Sequence, residues 1–313
     1  LAVRGSLRNL FPATYQKIYS YFFKRYLYQH QIEAILANYG PLGTHIMHAC
    51  IETNIPFSVH FHGFDASEKK TIEAYGSSYK HMAQQAKSII AVSHVMKRDI
   101  ESVCGPLQNL HVVPYGVDLE KFRPANEKKV TKEFRLISVG RFTAKKAPIA
   151  SIQSFEILLR SFPEAKFTMI GDGELWEEAK NYVQQHGLEN SVLFKGQQSP
   201  ETILEALQHA DAFIQHSVLT QSGDSEGTPN SILEASACAL PIVSTRHAGI
   251  PEAVVDGETG ILVDEHDILG MGQALIRLAE DGALREKMGN AARRHMLTHY
   301  ELAQQAQKLK SLL

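Results

Sequence analysis

From Phe134 onward, short apolar runs alternate with helical stretches. FRLISVG, KFTMIGDG, SVLFKG, AFIQHS, PIVST and GILVD read as strands, most of them closing on Gly, Ser or Asp. Between the first two, IASIQSFEILLRSF carries Ile149, Ile152, Phe155 and Leu159 on one face at helical spacing, and ELWEEAKNYVQQHG reads as the next helix. Strands that alternate with helices call for right-handed crossovers and a mostly parallel sheet. Such a sheet is covered on both faces, which suits runs this continuously apolar. The spacing predicts one Rossmann-like domain over residues 134–298. Residues 299–313 are expected to form a C-terminal helix that packs back on the N-terminal domain.

The first part of the chain repeats this logic less completely. THIMHAC, PFSVHFHG, SIIAVS and LHVVPYG are expected as strands, with helices around residues 14–38 and 67–87. RPANEKKVTKE, Arg123–Glu133, is charged and poor in apolar side chains, so it is expected as the linker after a domain over residues 1–122. The fold class is therefore α/β, two Rossmann-like domains facing a crevice, the first incomplete at its N-terminus. Ligands of such folds collect at the carboxyl ends of parallel strands.

Composition removes several function classes. With 313 residues, 44% of them hydrophobic, the chain can bury two cores, and its net charge of −2 gives no reason to expect a nucleic-acid partner. Cys50, Cys104 and Cys238 form neither a CxxC pair nor an even framework, which fits buried thiols in a reducing compartment. No apolar run reaches membrane-spanning length and no signal peptide is visible. The chain opens on Leu1, not Met, so an N-terminally truncated chain is expected.

The stretch EGTPNSILEASACALP, Glu226–Pro241, concentrates chemistry. Pro229, Asn230 and Ser231 read as a helix start, and the first turn of a helix offers unpaired N–H groups and a positive dipole end to a phosphate. Glu226 precedes that helix and Glu234 lies about one turn inside it, so the two carboxylates look in different directions. Spacing alone leaves two readings open: contacts to two hydroxyls of one ligand, or a solvated loop Glu beside a helix Glu near a favourable dipole. VGRFTAKKAP places Arg141 and Lys146 at the carboxyl end of a strand, where a planar donor fork and a mobile point charge both suit a diphosphate, although a solvated basic loop has the same composition. GDGEL is not GxGxxG. His60 and His62 are expected on one face of a strand, a metal pair lacking an evident third ligand or a set of polar contacts. His45 and His48 are expected on opposite faces of theirs.

AVSHVMKRDI, HVVPYGVDLEKFRP, SVGRFTAKKAP, MIGDGELWEEA, EGTPNSILEASACALPIVST and AGIPEAVVDGETGILV, in that order, resemble the retaining glycosyltransferases of family 4 (glycosyl transferases group 1), which have the GT-B fold. The resemblance runs from Phe57 across the rest of the chain, and the Glu-x7-Glu pair is the family's signature. It implies transfer of a sugar from a UDP- or GDP-linked sugar to a hydroxyl of a saccharide or lipid-linked acceptor, with retention and without a metal or other cofactor. His62, Arg141, Lys146 and Glu226 would be catalytic. The donor site would comprise Gly140, Arg141, Lys146, Gly171, Gly173, Gly196, Gln197, Thr228, Pro229, Asn230, Ser231 and Glu234. Within it, Glu226 and His62 would touch the sugar, Glu234 the ribose, and Arg141 and Lys146 the diphosphate. VLTQSGDSEG and HFHGFDAS resemble the exopolysaccharide, capsule and colanic-acid-type branch, which implies a cytoplasmic enzyme.

The chain departs from the family pattern at Ala147 and Ala239, where glycine is usual, and at its start, which lacks the family's first strand and glycine-rich loop. That loss is expected to leave THIMHAC or PFSVHFHG with an unpaired apolar edge and the chain poorly soluble or inactive. Arg4, Arg8, Lys17, Lys24 and Arg25 precede the first acidic residue, Glu33, with Tyr15, Tyr19, Phe22 and Tyr26 among them at helical spacing. This is either a basic aromatic helix for peripheral contact at the inner face of a membrane or a core helix with solvated charges. The alternatives to transfer are a nucleotide-sugar 2-epimerase of the same fold and a non-catalytic nucleotide-sugar-binding fragment. An NAD-type oxidoreductase ranks last, because the fingerprint glycines and the acidic residue after the next strand are absent.

Overall fold

The first sheet begins inside a stretch expected to be helical. β1 (Ile35–Asn38) follows a helix over Pro12–Gln29, and THIMHAC, expected as a strand, belongs to the helix Gly40–Thr53. Pro41 sits in the first turn of that helix, and Asn54 closes it in the left-handed conformation. Its buried residues Gly43, Ile46, Met47 and Cys50 recur at helical spacing. A short apolar run fits a buried helix as well as a buried strand, which is why the sequence misleads here. His45 and His48 therefore lie on a helix, not on opposite faces of a strand. β2 (Phe57–His60), β3 (Ser88–Ala91) and β4 (Leu110–Val112) complete a parallel sheet in the order β1-β2-β3-β4. The unpaired apolar edge expected of PFSVHFHG does not arise, because β2 is paired on both sides and all four of its residues are buried. A helix over His94–Cys104, capped where Ser93 accepts the Met96 N–H at 3.1 Å, also escaped the sequence reading.

The computed structural model describes residues 12–126 and 133–313, so Arg4, Arg8, most of the expected linker and the side chains of Tyr15 and Lys17 lie outside the described part. The chain divides into two units. The first runs up to Val113 and includes Gln307–Leu313, and the second is Pro114–Ala306. No helix among the described residues is long and apolar enough to cross a membrane. Leu27 anchors the first helix with 2% exposure, while Tyr21, Phe22, Tyr26 and Tyr28 stand exposed on it and Lys24 pairs with Glu52.

In the second unit every expected strand forms: β5 (Arg135–Val139), β6 (Lys166–Ile170), β7 (Val192–Gly196), β8 (Ala212–Gln215), β9 (Ile242–Thr245) and β10 (Gly260–Val263). All pairs are parallel, and the order is β10-β9-β8-β5-β6-β7. The chain thus starts in mid-sheet at β5, winds outward through β6 and β7, then returns to build β8, β9 and β10 on the other side. The boundary between β5 and β8 is the switch point of the winding, where loops leave the sheet in opposite directions and open a ligand site at the carboxyl ends. Both faces are covered. Ile152 and Phe155, from the predicted helical face, are fully buried in the cluster with Phe167 and Ile214, while Ile137, Phe213 and Ile242 pack with Ile232 and Leu233 on another.

Ala239 ends the Asn230–Ala237 helix in the left-handed region, φ 58°, and Leu240 N–H reaches back to Ala235 O at 3.1 Å. This is the backbone of a Schellman turn, whose left-handed position favours glycine. An L side chain there costs roughly 1–2 kcal/mol, against roughly 0.5–1 kcal/mol of extra chain entropy for glycine. Ala239→Gly is therefore expected to raise the melting temperature by on the order of 1–3 °C in calorimetry. An unchanged or lower value would mean that the methyl group packs well enough to offset the strain.

Candidate active site

The site is built across the β5/β8 switch point. β5 runs out through Gly140 and Arg141 into a short 3-10 turn, Ala144–Lys146, and Ala147 then takes the left-handed conformation, φ 35°, before Pro148 opens the next helix. That reversal turns Lys146 back over the end of β8. Its Nζ lies 3.1 Å from Glu226 Oε1 and donates to Gln215 Oε1 at 3.2 Å. The same Gln215 oxygen accepts from Ser231 Oγ at 3.2 Å, and Gln215 Nε2 donates to Ser217 Oγ at 2.8 Å. Gln215, 4% exposed at the end of β8, thus ties the basic loop to the start of the Asn230–Ala237 helix. An ammonium has three protons; one on Lys146 is directed at Gln215, the contact with Glu226 is an ion pair by proximity, and Glu226 Oε1 is a buried acceptor with no hydrogen-bond partner among the described residues.

Charge at this point is concentrated and poorly hydrated. Burial lowers the pKa of Lys146, outweighing the pull of Glu226. Burial pushes the Glu226 carboxyl up, but the charges of Lys146 and Lys145, the Lys146 contact and His247 together hold it below its ordinary value, so it is ionised at neutral pH. Lys145 turns the other way, to Asp224 Oδ1 at 3.0 Å and Ser225 O at 3.3 Å. Arg141 stands exposed beside the pair. No side chain caps the helix at Asn230, where Pro229 is the N-cap residue, so its first turn keeps donors for an anion.

Glu234 is separate from this cluster. It is one turn into the helix, and burial raises its carboxyl to about 7 against the pull of Lys121. The far end of the helix is fixed by Arg293, which donates to Ala237 O at 2.9 Å, Leu119 O at 2.9 Å and Phe122 O at 2.6 Å. Thr228 is buried between Glu226 and the helix. The glycines serve the backbone first. A methyl group on Gly171, φ 137°, would collide with the Gly140 carbonyl, so these two strand exits touch main chain to main chain. Gly173 packs in the same way on Phe142 O. Gly196 and the exposed Gln197 leave the sheet at β7, its edge strand, two strands from β5. The structure brings together Gly140, Arg141, Lys146, Glu226, Asn230 and Ser231, and Gly196 joins the same row of strand exits through its carbonyl, which accepts the Gly171 N–H at 2.9 Å.

In the first unit His62 lies beyond β2, not on it, because the strand ends at His60. The exit loop is folded around Asp65, fully buried, whose carboxylate accepts from Gly40 N at 3.0 Å and from His62 N and Gly63 N at 2.9 Å. His62 Nε2 lies 3.0 Å from Asn38 Oδ1, and its ring contacts Tyr39 and His60 with centroids 4.7 and 4.2 Å apart. Burial drives His60 down to about 3 and lowers His62 against the Asp65 charge, so both rings are neutral at physiological pH. Gln215, Lys145, His247 and Glu265 escaped the sequence reading. Their one common signal is position: all but Lys145 stand at, or two residues past, a strand's carboxyl end.

Residues 120–295 match the family described as Glycosyl transferases group 1, and residues 3–121 match Glycosyltransferase Family 4. The chain is 30% identical over 223 residues to the amylovoran biosynthesis glycosyltransferase AmsK of Erwinia amylovora, covering 71% of this chain and 55% of that protein. It is 29% identical over 220 residues to the putative colanic acid biosynthesis glycosyltransferase WcaL of Escherichia coli, covering 70% of this chain and 54% of that one. The chain thus spans about half the length of these curated relatives. The fold is shared with Anabaena Alr3699/HepE, solved with UDP and glucose, at a TM-score of 0.80 and 17% identity over 98% of this chain and 82% of that one.

Proposed function

This chain belongs to the group 1 glycosyltransferases, and on that premise we propose that it moves a sugar, with retention, from a nucleoside-diphosphate sugar to a hydroxyl of a saccharide or lipid-linked acceptor in the synthesis of a cell-surface polysaccharide. The observation that carries this reading is the buried Lys146–Glu226–Gln215–Ser231 cluster at the switch point, beside an uncapped helix start. As the glycosidic bond breaks, negative charge grows on the departing diphosphate. Lys146, Arg141 and the Asn230–Ser231 turn are the preorganised positive groups that stabilise it, and they need not reorient at the moment of reaction. Glu226, ionised and held by its loop, contacts the transferred sugar. Glu234, away from the phosphate cluster, takes the ribose hydroxyls. A buried basic clamp of this kind performs the charge neutralisation that a divalent cation supplies elsewhere.

The relatives named above are glycosyltransferases of exopolysaccharide synthesis, which disfavours the epimerase alternative and supports a saccharide or lipid-linked acceptor. The exposed Tyr21, Phe22 and Tyr26 beside Arg25 support peripheral contact with an anionic membrane surface, as an acceptor on a lipid carrier would require. The test is a screen of UDP- and GDP-sugars for binding, followed by NMR of the product formed from the donor that binds. Transfer is expected to persist in excess EDTA and to give the donor's own anomeric configuration. An inverted product, or strict dependence on added Mn²⁺, would overturn the reading.

A further inference from the structure

Behind Glu226, three neighbouring strand exits meet in one relay. β9 runs out through Arg246 to His247, which is 2% exposed. Its Nε2 accepts the backbone N–H of Glu226 at 3.1 Å, and its Nδ1 lies 2.6 Å from Glu265 Oε1. Glu265 comes from the exit of β10, and its other oxygen accepts the Leu219 N–H at 2.8 Å. Leu219 and Glu226 belong to the loop that leaves β8. Two backbone donors of one loop, seven residues apart, therefore hang on a single His–Glu pair. The exits that present the pair are turned by Ala248, φ 45°, and His266, φ 67°. Both are non-glycine residues held in a sparsely populated region, which persists where surrounding contacts over-determine it.

The protonation pattern follows from bond direction. A backbone N–H only donates, so the nitrogen facing Glu226 must carry a lone pair, and the imidazole proton must sit on Nδ1, pointing at the Glu265 carboxylate. Burial pushes the Glu265 carboxyl up, yet the Leu219 N–H and His247 hold it below its ordinary value, consistent with an ionised acceptor. Within the loop, Gly223 N donates to Thr220 O at 2.9 Å and Thr220 N to Asp224 O at 3.2 Å; against its neighbours, Val218 N donates to Lys145 O at 2.9 Å and Gly227 O accepts the Gly249 N–H at 3.0 Å, but none of these bonds engages Glu226 itself. Lys145 holds that turn on one side through Asp224 and Ser225, and His247 with Glu265 holds its two ends on the other.

We propose that His247 and Glu265 are a positioning pair: they set the Glu226 loop and thereby fix where the Glu226 carboxylate meets the transferred sugar. This rests on the assignment of Glu226 to the sugar. Neither residue touches substrate. Loss of the acceptor on Glu226 N–H strands a buried donor and lets the carboxylate drift, while Lys146, Ser231 and Glu234 keep their places. Recognition of the sugar should therefore fall, and recognition of the bare nucleotide should not.

Histidine can be replaced in halves. The Gln amide reaches about as far as Nε2, so His247→Gln keeps an acceptor for Glu226 N–H. The Asn amide reaches about as far as Nδ1, so His247→Asn keeps only the contact to Glu265. Calorimetry with UDP, UDP-glucose, GDP and GDP-mannose on the full 313-residue chain separates them. Whichever sugar nucleotide binds wild type should bind His247→Asn about tenfold more weakly and His247→Gln within about twofold, with the bare nucleotide unchanged in both. Equal losses in the two variants, or equal losses for sugar nucleotide and bare nucleotide, would overturn the proposal. A second measurement needs no ligand. ¹⁵N-histidine NMR of wild type should show His247 as the neutral Nδ1–H tautomer, and Glu265→Ala should leave a mixture of tautomers. An Nε2–H or doubly protonated ring in wild type at neutral pH would overturn the pair by itself. If none of the four nucleotides bound while the Nδ1–H tautomer was present, the proposed function would fail and the relay geometry would stand.

Discussion

Lys146→Ala is expected to lower sugar transfer by about 10²–10³-fold, the usual loss when one preorganised charge-stabilising group is removed from a dry site. The effect has two sources. On the proposed reading Lys146 donates to the diphosphate, and it balances Glu226, whose side chain is only 10% exposed. Removing one member of a buried pair strands the other, which costs roughly 3–5 kcal/mol in stability. A simple alanine variant could therefore lose activity by losing its fold. The double variant Lys146→Met, Glu226→Gln removes both charges and should melt closer to wild type while remaining inactive. Wild-type turnover in either variant would remove Lys146 from the catalytic set. A Lys146→Ala chain that melts like wild type would show instead that water reaches Glu226 more freely than its burial implies.

How far the sequence disclosed this site depends on the physics of each element. β5 to β10 were legible because strands buried on both faces are continuous apolar runs bounded by turn residues. The same criterion failed in the first unit, where the buried stripe of THIMHAC mimics a strand and β1 has only four residues, Ile35–Asn38, next to a long helix. Glu226 and Lys146 could each be singled out by position, but their contact across 80 residues of chain is a property of strand order, which places β8 beside β5. Gln215, His247 and Glu265 left no periodic signal at all. A polar residue after an apolar strand is ordinary, and only the parallel register of β8, β9 and β10 brings these exits together. Ala147 and Ala239 show the reverse case. They stood out as departures from a glycine pattern, and both adopt the left-handed backbone that makes glycine favourable.

Glu234 and Glu226 should separate cleanly in nucleotide binding, with a proton as the reporter. Burial raises Glu234 to about 7, from an ordinary value of 4.5. The folded chain therefore holds an extra proton between about pH 4.5 and 7. Because the folded state binds more protons than the unfolded state in that window, this group's contribution to stability is greatest below about pH 4.5. It declines as pH rises and is flat again above about 7, a loss on the order of 3 kcal/mol. Glu234→Gln should abolish that slope. A ribose hydroxyl donating to the carboxylate favours its ionised form, so binding of the correct nucleoside diphosphate at about pH 6.5 should release a fraction of a proton. Calorimetry in two buffers of different ionisation enthalpy measures this directly. Glu234→Gln should lose the release and weaken the nucleotide by about tenfold, the usual penalty for a lost charged hydrogen bond. Glu226→Gln should keep both the release and the nucleotide affinity, because its carboxyl is already ionised at that pH, and should lose transfer instead. Equal loss of nucleotide affinity in the two variants would contradict the division of roles. Proton release that survives Glu234→Gln would assign the titration to another group.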